Sequence, residues 1–352
     1  MRRLVHHLGM IVAFALTALF IYLAFREVKW VEMVHAMSSA NHGLVLLGAA
    51  VGLAGFIVRA FGWKFLLAPV GKMSGWRLFS PVAIGYMANN LLPARLGEFA
   101  RAYVVGKQEK VSKSSALATI LVERVFDGLT LLMILAAVSL FFPYPMWVKT
   151  GGLIVAAIFI GLSVCLTIVS IKTSWGLRII DIVFGRFLPQ LADRLKSLLL
   201  DFVIGLNLKN HFLTSTLAFC CVMLRWAFEA CIYLSVVYAM GLQDLVPLHG
   251  ALFVMVAVNI ACLVPQAPGF VGSVQLACIE SLAVFGVDRE VAIAYSLLVH
   301  AAFFFPITLT GIVCLFRSHL SFAEIRKSQN TNDAADSTTA TTMSPNEHKT
   351  VA

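Results

Sequence analysis

Ionisable side chains occur in this chain where apolar sequence should hold none. Glu123, Arg124 and Asp127 fall inside the long apolar run 114–142. Asn89, Asn90, Arg95, Glu98 and Arg101 crowd a second stretch, Ile84 to Arg101, which reads IGYMANNLLPARLGEFAR. A charge at the centre of a membrane helix costs about 2.5–3.5 kcal/mol on insertion scales, so each such group needs a partner or a ligand. Two chemistries answer that need. On a helix Arg124 stands three residues before Asp127, and Glu123 one turn before it, so an internal ion pair can hold helices together. Alternatively, Arg124 meets a phosphate while a carboxylate accepts a proton or an amine. Arg59, Arg225 and Glu229 pose the same question on other apolar runs, and the i, i+4 spacing of Arg225 and Glu229 favours a pair.

Ile84 to Arg101 starts like a membrane helix and breaks at Asn89, Asn90 and Pro93. Lipid cannot satisfy the backbone groups that such a break frees, so the segment persists only where protein or water surrounds it. It reads as a re-entrant piece lining a polar site, where freed amides and the guanidinium forks of Arg95 and Arg101 suit a phosphate; the competing reading is a basic loop. The stretch has a counterpart near the other end of the chain. Asn90 and the Pro93-x-x-x-Gly97 after it are answered by Asn259 and Pro265-x-x-x-Gly269. Upstream, Arg59 matches Arg225; downstream, Ala116-Leu-Ala matches Ala292-Ile-Ala, which sets Arg124 against His300. The second copy offers Asn259, Gln266, Ser273 and Gln275, a polar half-site without the cations of the first.

Composition indicates which elements must position these groups. The 352 residues are 60% hydrophobic and 13% charged, with a mean hydropathy of +0.88, where soluble domains are about half apolar and about a quarter charged. The expected fold is an all-α polytopic membrane protein. Spans are expected at about 5–25, 44–68, 114–142, 152–172, 212–240 and 290–316, each near the length needed to cross. Two broken apolar pieces, 78–106 and 247–286, are expected as re-entrant helical hairpins. Basic residues concentrate in the loops on one side, with Arg26, Lys29, Lys149 and Arg289 on the other, which orients both termini to the cytoplasm. The same bias accounts for the net charge of +9 without nucleic acid as a partner.

With that orientation the two units run in opposite senses, the inverted-repeat plan of alternating-access transporters. Repeat one covers about 44–142 and repeat two about 212–316, joined by an amphipathic cytoplasmic connector at about 176–210. Together 1–327 form the membrane domain, and the polar tail 328–352 is too poor in apolar residues to repay its ordering. The seven cysteines all lie in apolar runs without metal-like spacing and read as buried free thiols. Gly48-x-x-x-Gly52 is expected to pack helices. There is no HExxH, GxSxG or phosphate-loop motif, so neither an enzyme nor a cofactor is expected.

The chain resembles the flippase-like family named after the transmembrane region of lysylphosphatidylglycerol synthase, the multiple peptide resistance factor. The likeness lies in Arg59-Ala-Phe-Gly-Trp63, in Gly85-Tyr86-Met87-Ala88-Asn89-Asn90-Leu-Leu-Pro93-Ala-Arg95-Leu-Gly97-Glu98-Phe99-Ala-Arg101, in Glu123-Arg124-Val-Phe-Asp127 and in Pro265-x-x-Pro268-Gly269-x-x-Gly272-Ser273-x-Gln275. It implies a bacterial inner-membrane protein that moves a lipid between leaflets or assists a lipid-modifying enzyme. The synthase's soluble aminoacyl-transfer domain has no counterpart in this sequence. On this reading Arg95, Arg101 and Arg124 hold an anionic headgroup, which prefers the first hairpin, while Glu98, Glu123 and Asp127 balance charge or couple protons. The alternatives are a non-transporting partner that presents lipid to a separate enzyme, and an integral-membrane transferase acting on lipid-linked substrates.

Overall fold

The computed structural model describes residues 2–26, 28–92, 96–141, 146–185, 189–206, 212–264 and 267–318. Arg95, Gln266 and the tail 328–352 lie outside the described residues. Thirteen α-helices and no strand occur among those that are described. In chain order they are α1 (Arg2–Phe25), α2 (Trp30–Ser38), α3 (His42–Leu66), α4 (Gly75–Leu91), α5 (Gly97–Glu109), α6 (Lys113–Val138) and α7 (Met146–Ile171). There follow α8 (Thr173–Ile180), α9 (Pro189–Leu206), α10 (Phe212–Ala239), α11 (Leu248–Ala261), α12 (Ser273–Ala283) and α13 (Arg289–Arg317). The six stretches read as spans are occupied by α1, α3, α6, α7, α10 and α13. Four of these, α3, α10, α13 and the Thr150–Ile171 part of α7, are long and apolar enough to cross a membrane. Helix α6 matches them with 26 residues but carries Glu123, Arg124 and Asp127 at its middle.

Helices α3 and α10 form the central pair, and small residues set their distance. A Cβ on Gly48 would stand 2.0 Å from Ser235 Oγ, and one on Gly52 2.4 Å from Ile232 Cδ1. Further along, Gly55 meets Phe228 and Gly62 meets Cys221. The glycine pattern thus packs helices as expected, and the order of these contacts makes the pair antiparallel. This register brings Arg59 of α3 level with Arg225 of α10.

Each broken piece folds as a helical hairpin. In the first, α4 and α5 touch through glycines: a Cβ on Gly97 would lie 2.0 Å from the Gly85 carbonyl oxygen. Asn89 caps the break by accepting from Gly97 N at 2.7 Å and donating to Glu98 Oε1 at 3.3 Å. In the second, α11 leads through a turn at Pro268–Phe270 into α12. Gly269 and Gly272 take φ of +83° and +93° there, which a side chain would resist.

The hairpins enter the bundle from opposite ends. The open end of α4–α5 lies beside the C-terminus of α13, where Ser80 Oγ and Gln108 Nε2 each come within 3.2 Å of Ser318 Oγ. The open end of α11–α12 lies where His249 stacks on Phe141, just past α6. Their tips meet inside, with the Asn90 carbonyl 4.0 Å from a Cβ built on Gly269. Helix α1 braces the second tip, where Thr17 Oγ1 accepts from Ala267 N at 2.8 Å, and also the start of α13, where Arg289 Nη2 donates to the Leu23 carbonyl at 2.5 Å.

Two elements differ from expectation. The nine-residue α2, too short to announce itself by periodicity, packs on α13. The cysteines are all free thiols but only Cys278 is buried, because Cys165, Cys220 and Cys231 point outward from their helices. Stretch 176–210 contains α8 and α9; the latter docks on α6 by Ser115 Oγ donating to the Asp201 carbonyl at 2.6 Å.

Gly97→Ala is expected to destabilise the protein by about 1–3 kcal/mol, since the obstacle is backbone and cannot turn aside. Gly161→Ala, with nothing within 4 Å of its Cβ, should gain about 0.5–1 kcal/mol from helix propensity, as on any open helix face. Thermal unfolding of the two variants in detergent checks the contrast; equal midpoints would deny the close packing of α4 on α5.

Candidate functional site

Glu123 is the hub of a buried ionic network. Its side chain is 2% exposed. It accepts from Arg59 Nε at 2.6 Å and, through both oxygens, from Arg101 Nη1 at 2.9 Å and Nη2 at 2.7 Å. Arg101 makes a two-pronged fork, the strongest geometry available to such a pair. Its guanidinium sits over the Trp63 ring, 3.7 Å from the centroid, and Trp63 Nε1 donates to Thr119 Oγ1 at 2.9 Å. Arg59 reaches on with Nη2 to Asp127 Oδ2.

From Asp127 the network crosses to the second unit. Arg225 Nη2 lies 3.4 Å from Asp127 Oδ1, while Arg225 Nη1 donates to Glu229 Oε2 at 2.5 Å. Glu229 Oε1 in turn accepts from Asn259 Nδ2 at 2.9 Å. Five helices, α3, α5, α6, α10 and α11, are tied by this one chain. Such pairing is what makes the charges tolerable, because a lone buried ion would cost several kcal/mol.

Arg124 stands apart. Its side chain is 31% exposed, against 3% for Arg59 and 2% for Arg101. Nη2 donates to the Tyr86 hydroxyl at 2.9 Å, and the guanidinium keeps longer contacts to Asp127 at 3.4 Å and Glu123 at 3.5 Å.

At the Asp127 end of the network opens a cavity of about 200 Å³ between the two units. Asn89, Asn90, Glu98, Arg124, Asp127 and Asn259, all expected from the sequence, lie on its wall. So do Arg59, Tyr86, Arg225, Trp226, Glu229 and His300. Phe159, Leu263, Phe270, Phe303 and Phe304 complete it with apolar surface. Three buried donors on wall residues, Arg124 Nε, Arg225 Nε and Trp226 Nε1, have no acceptor. Each unpaired donor costs about 1–3 kcal/mol, and all three atoms lie beneath the wall's accessible surface, so what a ligand in the cavity meets is the exposed part of Arg124.

The structure redistributes the expected site. Arg101 and Glu123 are not on the cavity wall: each satisfies the other behind it, so neither is placed to hold or balance a headgroup directly. Ser273 and Gln275 are buried in the second hairpin's turn. Ser273 Oγ donates to the Phe270 carbonyl at 3.0 Å, and Gln275 Oε1 accepts from Gly272 N at 2.7 Å. Asn90 and Asn259 have structural ties beside their wall positions, Asn90 Nδ2 donating to Thr308 Oγ1 at 2.8 Å. The second half-site also proves charged, since α10 brings Arg225 and Glu229 to the wall. The alignment of Arg59 with Arg225 and of Arg124 with His300, and the i, i+4 spacing of Glu229, were the signals that pointed to these residues; Tyr86 stands in the first hairpin's motif without a role of its own, and nothing in the sequence gives one to Trp226. Among the described residues no group of His, Cys, Asp and Glu is arranged to hold a metal ion.

A UPF0104 membrane protein of Methanothermobacter thermautotrophicus is 25% identical over 322 residues, 84% of this chain and 90% of the relative. A UPF0104 membrane protein of Methanocaldococcus jannaschii is 28% identical over 99 residues, 27% of this chain and 30% of that one. Glycosyltransferase AglD of Haloferax volcanii is 28% identical over 131 residues, 37% of this chain and only 21% of that protein. No solved structure matches. The family model described as the lysylphosphatidylglycerol synthase TM region matches residues 10–311. Its all-helical fold, its apolar helices and that match together make the chain a membrane protein of the lysylphosphatidylglycerol synthase transmembrane-region family.

Proposed function

We propose that this protein moves a phosphate-bearing lipid between the two leaflets of a membrane, holding the headgroup in the cavity between the units. The observation that carries the proposal is the wall itself, where a partly exposed arginine stands among polar side chains and apolar surface in the middle of a membrane-protein fold. At about 200 Å³ the cavity is smaller than the roughly 300–1,000 Å³ of a drug-sized pocket. It suits a headgroup and leaves the tails in the bilayer.

Several features support alternating access. The antiparallel register of α3 and α10, the level arginines and the hairpins entering from opposite ends fit inverted repeats at about 44–142 and 212–316. At 1.5 Å per residue the arms α4, α5, α11 and α12 are ~16–26 Å long, short of the ~30 Å hydrocarbon core, which favours re-entrant hairpins over span pairs. The bias of basic residues supports both termini on the cytoplasmic side. A bacterial inner membrane rests on the family resemblance alone, since the relatives named above are archaeal. No reaction is assigned to the chain.

The test is reconstitution of the purified full chain into liposomes carrying fluorescent phosphatidylglycerol in one leaflet. Labelled lipid should cross faster than in protein-free vesicles. If no glycerophospholipid, isoprenoid-phosphate or hopanoid lipid crosses, the transport reading is wrong. A second reading, presentation of lipid to a separate enzyme, draws on the likeness to a protein named as a glycosyltransferase. Co-purification with a transferase, together with absence of transport, would favour it.

A further inference from the structure

His300 shares the cavity wall with Arg124, and the proton positions around it follow from its neighbours. A backbone N–H can only donate, so the oxygen of Gln275 is fixed on Gly272 N at 2.7 Å. The other end of that amide is therefore NH2, and it meets His300 Nδ1 at 3.2 Å. An NH2 group has no acceptor to offer, so Nδ1 must itself accept, and the ring in this state is neutral with its hydrogen on Nε2. Protonating Nδ1 would set donor against donor. The clash is relieved only if the Gln275 amide turns away from the Gly272 turn at the second hairpin's tip.

Charge on the wall supplies the reason for such a proton. Around the cavity and the network behind it, Arg59, Arg101, Arg124 and Arg225 are matched by Glu98, Glu123, Asp127 and Glu229, four formal charges of each sign among the described residues. A phosphodiester that enters this balanced site brings one uncompensated negative charge into a region of low dielectric. The wall it shares carries Arg59 from α3, Tyr86 from α4, Glu98 from α5, Arg124 and Asp127 from α6, Arg225, Glu229 and Tyr233 from α10 and Cys262 past α11, and Gln275 of α12 touches it directly. It is the one neutral imidazole on that wall, so it can restore neutrality by taking a proton.

We infer that headgroup phosphate and a proton bind this cavity together, the proton on His300. This rests on the reading of the cavity as a headgroup site, and it adds a further activity: where lipid crosses, a proton crosses with it. Protonation then also releases Gln275 from its donor contact and loosens the second hairpin's tip when the site is filled. With one proton per lipid, a pH difference of one unit between the two sides biases the lipid distribution by up to about tenfold, toward the leaflet on the alkaline side.

Two measurements on the full chain test it. In detergent, a pH-sensitive dye follows proton uptake when short-chain phosphatidylglycerol is added; in phosphatidylcholine liposomes, labelled phosphatidylglycerol is followed with and without a pH difference. Wild-type protein should take up close to one proton per lipid bound, and its lipid movement should respond to the gradient. His300→Gln should take up none and move lipid without that response. Gln275→Glu, which puts a carboxylate against Nδ1 while still accepting from Gly272, should raise the midpoint of the pH profile by about a unit or more. Lipid bound or moved by wild type without proton uptake overturns the inference, and so does a gradient response that survives in His300→Gln. If that variant does not yield folded protein, an unchanged pH profile in Gln275→Glu overturns it instead. Proton uptake on lipid binding without any lipid movement would sustain the proton site and defeat only the transport reading.

Discussion

Glu123→Ala is expected to cost the protein about 3–5 kcal/mol of stability, the range measured when one partner of a buried pair is removed. The reason is the number of donors left behind. Arg59 Nε loses its acceptor at 2.6 Å and the Arg101 fork loses both of its own. Arg59 keeps Asp127, but Arg101, nearly inaccessible to water, is left with no carboxylate against its fork. Against a typical total of about 5–15 kcal/mol, that loss should remove most of the protein from the membrane fraction. Glu123→Gln keeps the shape but turns an NH2 toward one guanidinium, so it should recover little. The control is Glu32→Ala, which unpairs the exposed Lys29 and should leave abundance and melting unchanged. Normal abundance and melting for Glu123→Ala would mean that Glu123 is not the hub.

Arg124→Ala is expected to separate function from folding. Its ties to Asp127 and Glu123, at 3.4 and 3.5 Å, are among the loosest in the network, its one close hydrogen bond goes to the Tyr86 hydroxyl, and both carboxylates keep other arginines when it is gone. Folding should therefore suffer little. A hydrogen bond to a charged group contributes about 1.5–3 kcal/mol, so binding of short-chain phosphatidylglycerol should weaken about 10- to 150-fold, with a matching loss of lipid movement. Arg124→Lys should recover part of the affinity through charge but not the planar fork that holds a phosphate. Unchanged affinity and movement in Arg124→Ala would take this residue out of the site.

These two expectations divide residues that are adjacent in sequence, and that division was not legible there. The apolar runs and the first hairpin could be read because each follows from local chemistry: lipid demands apolar length, and polar residues with proline mark a turn-back. The break expected at Asn89 and Asn90 falls later, since α4 runs on to Leu91, and Pro93 lies outside the described residues. The Arg225 to Glu229 pair could be read because both residues share one helix face. Arg101 and Glu123 sit on different helices, and helical periodicity says which residues share a face but not which faces oppose each other. Arg101 therefore looked like a ligand when its fork was already taken. His300 was reachable only through the repeat, as the counterpart of Arg124, because a lone histidine in an apolar helix carries no signal of its own.

The ionic network also has a consequence for how the chain is made. Arg59, Arg101 and Arg124 are matched within the first half by Glu98, Glu123 and Asp127, and Arg225 carries Glu229 one turn away on its own helix. Each half can leave the ribosome and enter the bilayer electrically complete, α6 being accepted because Arg59 has gone in before it. Among the described residues the ion pair that joins the halves is Arg225 to Asp127, at 3.4 Å. The seam closed last in biosynthesis is thus held by one of the weakest ionic contacts in the core. On the alternating-access proposal, parting at that contact would leave each half its own charge balance, while the close packing of α3 on α10 still holds the halves together.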